Sequence, residues 1–127
     1  MFDSSKKVYE TRKIDVYHCL KDDGIDTYFQ DQHRGDCLSP YAVVAYSGGN
    51  EVVGFSSTIH SIDIMCYVPI KNPSLIDIFV DQVKNSMKKL YPMLKDANND
   101  VGDYSDNDIK AIMRTITYTY YKKNENV

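Results

Sequence analysis

The stretch "STIHSIDIMCYVP", from Ser57 to Pro69, alternates with period two and ends on a proline. Thr58, His60, Ile62, Ile64, Cys66 and Val68 fall on one side of such a strand; Ile59, Ser61, Asp63, Met65 and Tyr67 fall on the other. From Ile62 onward the first side is apolar, which assigns it to the core. Across "VPIKNPS" the period changes. Ile76, Phe79, Val80, Val83, Met87, Leu90 and Tyr91 then form one apolar stripe at helical spacing. A half-buried strand that runs straight into an amphipathic helix calls for a sheet with that helix packed on it.

The helix is expected to begin near Asn72, with Pro73 in its first position or Ser74 as a cap three residues before Asp77. Asp77 and Asp81 come early and Lys88 and Lys89 late, as the helix dipole prefers, and Pro92 stops it. Upstream, "SSKKVYETRKIDVYHCLKDDG" reads as a first helix. Val8, Arg12, Val16, Cys19 and Leu20 make its stripe, Ile14 lies off it, and Gly24 ends it. "IDTYFQ" is a short strand candidate, "DQHRGDCLSP" a loop, and "YAVVAYS" a strand of buried type. "GGN" reads as a turn, and "EVVGF" as a short strand or part of a loose hairpin.

Downstream, "DANNDVGDYSDND" reads as an acidic loop and "IKAIMRTITYTYY" as a long closing strand. Ile112, Ile116, Tyr118 and Tyr120 share one side of that strand with Lys110 and Arg114; the other carries Ala111, Met113 and a threonine ladder. The last residues, from about 123 to 127, read as a frayed tail. The order helix, strands, helix, strand predicts one α+β domain over 1–127, with a mixed or antiparallel sheet of about four or five strands.

A chain of 127 residues suits one domain, and its 43% apolar and 26% charged content is ordinary for a globular protein. The formal charge of −3 gives no global attraction to nucleic-acid phosphates. Cys19, Cys37 and Cys66 are odd in number and contain no C-x-x-C pair, so folding in a reducing cytosol is the simpler expectation. The start "MFDSSKKVYE" has no apolar run of signal-peptide type, and no stretch nears the roughly 18 apolar residues of a membrane span.

Motifs for chemistry are sparse. A phosphate-binding join needs glycines that bare backbone N–H groups ahead of a helix, whereas "VPIKNPS" has none, and its two prolines remove donors. "DQHRGDC" gathers Asp31, His33, Arg34, Asp36 and Cys37, but at no common metal-ligand spacing; a solvated or interface loop is the plainer reading. The "RGD" within it is a chance-sized match to an integrin-binding tripeptide. His60 and Asp63 face opposite ways on their strand, and His18 and Cys19 diverge on their helix. Asp96, Asn98 and Asp100 sit at calcium-loop positions one, three and five, yet Val101 stands where the turn glycine belongs and Asn107 where the bidentate Glu belongs. Tyr118, Tyr120 and Tyr121 fit either a sheet face packed on the second helix or an oligomer surface.

The chain resembles the tail terminator proteins of long-tailed bacteriophages and prophages, also called tail completion or neck proteins. The likeness runs through "IDTYFQDQHRGDCLSPYAVVAY", "STIHSIDIMCYVPIKNPSLIDIFVDQVKNSMKKLYP" and "DNDIKAIMRTITYTYYKK". It departs in "DQHRGDCLSP", which lacks the family's proline after the Gln. The resemblance implies a homo-oligomeric ring, usually a hexamer, in the virion neck. Such a ring caps the tail tube, ends its polymerisation and meets the head–tail connector or head completion protein. It does no covalent chemistry and takes no cofactor, metal or membrane. It reads no nucleic-acid sequence, although packaged DNA passes through it. Assembly is expected in the host cytoplasm. Interface residues are expected in the 31–37 loop (Asp31, His33, Arg34) and the closing strand (Arg114, Tyr118, Tyr120). A head completion or connector adaptor protein of the same neck region is the alternative, ahead of a small metal-binding protein or enzyme. A monomeric transcriptional regulator lacks both the charge and a helix-turn-helix signature.

Overall fold

The computed structural model describes residues 4–33, 35–51 and 57–123, with side chains for 12–33, 35–48 and 58–121. Helix α1 spans Ser4–Asp22, β1 Thr27–Phe29, β2 Tyr41–Glu51 and β3 Ser57–Pro69. Helix α2 spans Leu75–Met87 and is followed by a single 3-10 turn, Lys88–Leu90. Then come β4 (Lys95–Asp96), β5 (Val101–Asp106) and β6 (Ala111–Lys123). The fold is a single α+β domain of two helices and a six-stranded mixed sheet in the order β1-β2-β3-β6-β4, with β5 also on β6. β1 runs parallel to β2; every other pairing is antiparallel.

Both helices cover one face of the sheet. The alternation of β3 places Ile62, Ile64, Cys66 and Val68 in the core, as expected, together with His60. Val16 and Leu20 of α1 meet Ile76, Phe79, Val80, Val83 and Met87 of α2 over these residues. The helices touch at small residues: the Cys19 thiol donates to the Ser86 carbonyl at 3.2 Å, and the Ser86 hydroxyl donates to the Cys19 carbonyl at 3.3 Å. Gly24, at φ +78°, ends α1. Its N–H donates to the Lys21 carbonyl at 2.9 Å and the Ile25 N–H to that of Leu20 at 3.0 Å, the paired bonds of a Schellman cap.

Several local expectations are corrected. "GGN" is not a turn: β2 continues to Glu51, absorbing Gly48 (φ +120°) in a bulge after Tyr46. Within "EVVGF", Glu51 is strand, and residues 52–55 lie outside those described. Ser74 makes no side-chain cap; its backbone is already helical, and the first turn closes through Leu75 N–H to Asn72 and Ile76 N–H to Pro73. Tyr91 is exposed, because the helix ends at Met87 and the stripe does not reach it. The acidic loop carries two strands, β4 and β5, which raise the strand count to six. β6 runs on to Lys123, and the remainder of the expected tail lies outside the described residues.

Ile64 is fully buried in the middle of β3. Ile64→Ala is expected to cost about 2–5 kcal/mol, lowering the urea midpoint with an unchanged denaturant slope.

Candidate functional site: the helix-free face of the sheet

The helices leave the second face of the sheet uncovered among the described residues, and strand register sorts its side chains into rows. Tyr41 pairs with Tyr67, Tyr67 with Met113, and Met113 with Tyr104. In the next row Tyr28 pairs with Val43, Val43 with Met65, Met65 with Thr115, and Thr115 with Val101. These two rows form an apolar band across the width of the sheet. The rows beyond are mainly polar: Asp63 and Thr117 beside the buried Ala45, then Ser61, Thr119 and Lys95. The Thr117 hydroxyl donates to the Asp63 carboxylate at 2.7 Å.

The 30–40 loop folds over one end of the band. His33 stacks on Tyr41 with ring centres 3.8 Å apart, and Tyr41 stacks on Tyr67 at 4.8 Å. Tyr28 meets His33 and Tyr41 edge-on at 5.0 and 5.7 Å. Beside this column lies a shallow cleft of about 250 Å³, lined by Gln30, Asp31, His33, Met65 and Tyr67 among others. Asp31 holds a positive φ of 65° at the turn out of β1. Asp31 and His33 therefore share one site. The side chain of Arg34 lies outside the described residues. Asp36 and Cys37 lead elsewhere. Asp36 pairs with Lys110 at 3.4 Å, while Cys37 is buried, with its N–H donating to the Ile109 carbonyl at 2.7 Å.

The closing strand distributes its candidates differently from the sequence expectation. Tyr118 and Tyr120 belong to the core beneath the helices, so the exposed tyrosine here is Tyr121. The His60 ring stacks on Tyr120 at 5.1 Å, and its Nδ1 lies 2.8 Å from the Tyr46 hydroxyl. Arg114 joins elements: it reaches Asp77 at the start of α2 at 2.8 Å and Asp103 of β5 at 2.8 Å. The hydrogen bond to Asp103, then that to Asp77, hold its guanidinium more firmly protonated despite partial burial. Lys84 of α2 does the same for the acidic segment, reaching Asp100 at 2.7 Å and Asp96 at 3.5 Å. Two of the three residues that resembled a calcium loop are thus turned toward a lysine.

Sequence reasoning missed the band. Most members sit at period-two positions that could have been read, but Val101 and Tyr104 straddle a register shift, and the alignment depends on four separate registers. Among the described residues, no group of three or more His, Cys, Asp or Glu side chains converges as a metal site, and no helix is long and apolar enough to cross a membrane.

Arg114→Ala is expected to lower stability by about 1 kcal/mol and to speed hydrogen exchange in 101–106, because β5 loses a tether to the helix layer. Burial pushes the Cys37 thiol from its ordinary 9.0 up to about 11 and that of Cys66 up to about 12. A raised folded-state value means the native protein keeps protons that the unfolded chain releases. The contribution is therefore intact below about pH 9 and is lost as pH rises toward about 11 and 12. Urea midpoints should fall across that interval, and a thiol reagent at pH 8 should modify native Cys37 and Cys66 far more slowly than the unfolded chain. No protein-family model matches this chain, and a search of curated proteins finds no match.

Proposed function

We propose that this chain is a structural subunit that acts through its interfaces, forming a ring of the tail terminator kind that its sequence resembles. The observation that carries the reading is the part of the apolar band beyond the 30–40 loop: that loop buries Tyr41, whereas Tyr67 and Met113 stay half-buried and Tyr104 is exposed. Aromatic side chains such as tyrosine, together with methionine, are enriched where proteins meet, with polar residues at the margin. Here Asp63, Ser61, Thr117 and Thr119 supply such a margin on the same face. In this reading the chain performs no covalent chemistry. Copies assemble in the host cytoplasm into a ring, usually of six, which caps the finished tail tube and presents a surface to the head connector.

The test is solution mass by light scattering over a concentration series, with and without the tail tube protein. The expected species is a fixed small multiple of 14.6 kDa, formed by the protein alone or on addition of tube protein. A mass of one chain under every condition overturns the reading.

A further inference from the structure

We infer that the outer edge of β5 is where a second copy of this chain docks, by adding one of its own strands to the sheet; the inference rests on the ring reading above. The two sides of the sheet end differently. On the β1 side, the Ala42 N–H donates to the Asp26 carbonyl at 2.8 Å, and the parallel register then turns the polar groups of Tyr28 inward. Those of Thr27 and Phe29 face outward. Gln32 occupies the Phe29 pair: its side-chain Oε1 accepts the Phe29 N–H at 2.9 Å, and its own N–H donates to the Phe29 carbonyl at 3.2 Å. An incoming strand meets a plugged edge there.

β5 carries no such plug. Among the described residues no strand lies outside it, and "VGDYSD" contains neither the lysine nor the proline that commonly guards an edge. Its one irregularity is the register shift between Val101 and Tyr104. Val101 and Tyr104 are 59% and 60% exposed and lie opposite Thr115 and Met113, so they carry the apolar band to the rim of the sheet. Two of the carboxylates flanking them are answered from within: Asp103 is held by Arg114 and Asp100 by Lys84. Asp106 accepts the Asp108 N–H at 3.1 Å and keeps its charge at the end of the strand, away from Val101.

The donor strand follows from topology. β1 covers β2 only at Ala42–Val44, and no described strand lies outside Gly48–Glu51. β2 and β6 run one way, β3 and β5 the other. Neighbouring copies in one sheet thus run β5 of one antiparallel to β2 of the next, and they meet staggered along the strands, because β5 lies level with Ala111–Thr115 of β6 and Gly48–Glu51 level with Thr119–Lys122. The two edges are different surfaces, so the contact is head-to-tail, the type that closes into rings. Main-chain hydrogen bonds supply the attraction, and Val101 and Tyr104 supply the fit.

The double variant Val101→Lys, Tyr104→Lys tests this, since both side chains are exposed and a lysine pair restores an edge guard. The concentration at which half the protein is assembled should rise at least tenfold, with an unchanged circular dichroism spectrum. In the wild type, amides in 48–51 and 101–106 should exchange at least tenfold more slowly in the assembled form than in the free chain. Assembly of the folded variant at the wild-type concentration, or equal exchange in both states, overturns this contact while leaving the ring reading in place. A wild type that stays a single chain with and without tube protein overturns both. Should the double variant fail to fold, wild-type exchange decides alone.

Discussion

The pairing of β3 with β6 is the constraint on which the rest of the structure depends. It runs without a break from Ser57 opposite Lys123 to Pro69 opposite Ala111. A slip of one residue would exchange Ile62, Ile64, Cys66 and Val68 for the polar and mixed residues between them, so the apolar core fixes the register strongly. The same register sets the other face. It places Tyr67 opposite Met113 and Met65 opposite Thr115, the centre of the apolar band. β6 also carries β4 and β5, so the acidic segment takes its position along the edge that β6 offers. Core and candidate interface are two readings of one ladder.

Much of this ladder was legible. The alternation in "STIHSIDIMCYVP" gave the bounds of β3 and its core side, and the change of period after Pro69 gave α2. Gly24 gave the end of α1 because only a few residues adopt its backbone conformation without cost. What failed was local chemistry overruled by distant partners. Gly48 and Gly49 looked like a turn, yet the first residues of β3 pair with this stretch and keep it extended, and Gly48 serves the bulge instead. "VGDYSD" has little strand propensity, but β6, Arg114 and Lys84 supply what it lacks. For Tyr118 and Tyr120 the sequence left a packed sheet face and an oligomer surface both open. Their parity with Ile116 on β6 places them under the helices, in a core already walled by α2. The Tyr41–Tyr67–Met113–Tyr104 row needed a register among four strands that no single stretch of sequence contains.

The core is not uniformly apolar, and the placement of its polar members has a physical logic. His60 lies at the end of the apolar run of β3, against Tyr46 on one side and Tyr120 on the other. Cys19 and Ser86 exchange hydrogen bonds where α1 and α2 approach each other. Such groups add little net stability compared with a well-packed aliphatic residue, since each bond replaces one to water. They discriminate instead: a shifted helix or a slipped strand would strand a buried donor or acceptor, which costs more than the bond contributes.

The helix-free face follows a related rule on the outside. A sheet face that is apolar from edge to edge invites non-specific association, and one that is polar throughout has no reason to be covered. This face is divided. Asp63, pinned by Thr117, sits in the row immediately beside the band, with Ser61 and Thr119 beyond it. A partner that slid across those rows would have to strip water from a carboxylate, whereas one centred on Tyr67 and Met113 would not. At one end His33 and the 30–40 loop close the band, and Gln32 blocks the adjoining edge. At the other end the band runs out unguarded along β5, where Val101 and Tyr104 stand exposed. The asymmetry gives the surface a direction, and a surface with a direction favours contact between unlike edges over contact of one edge with itself.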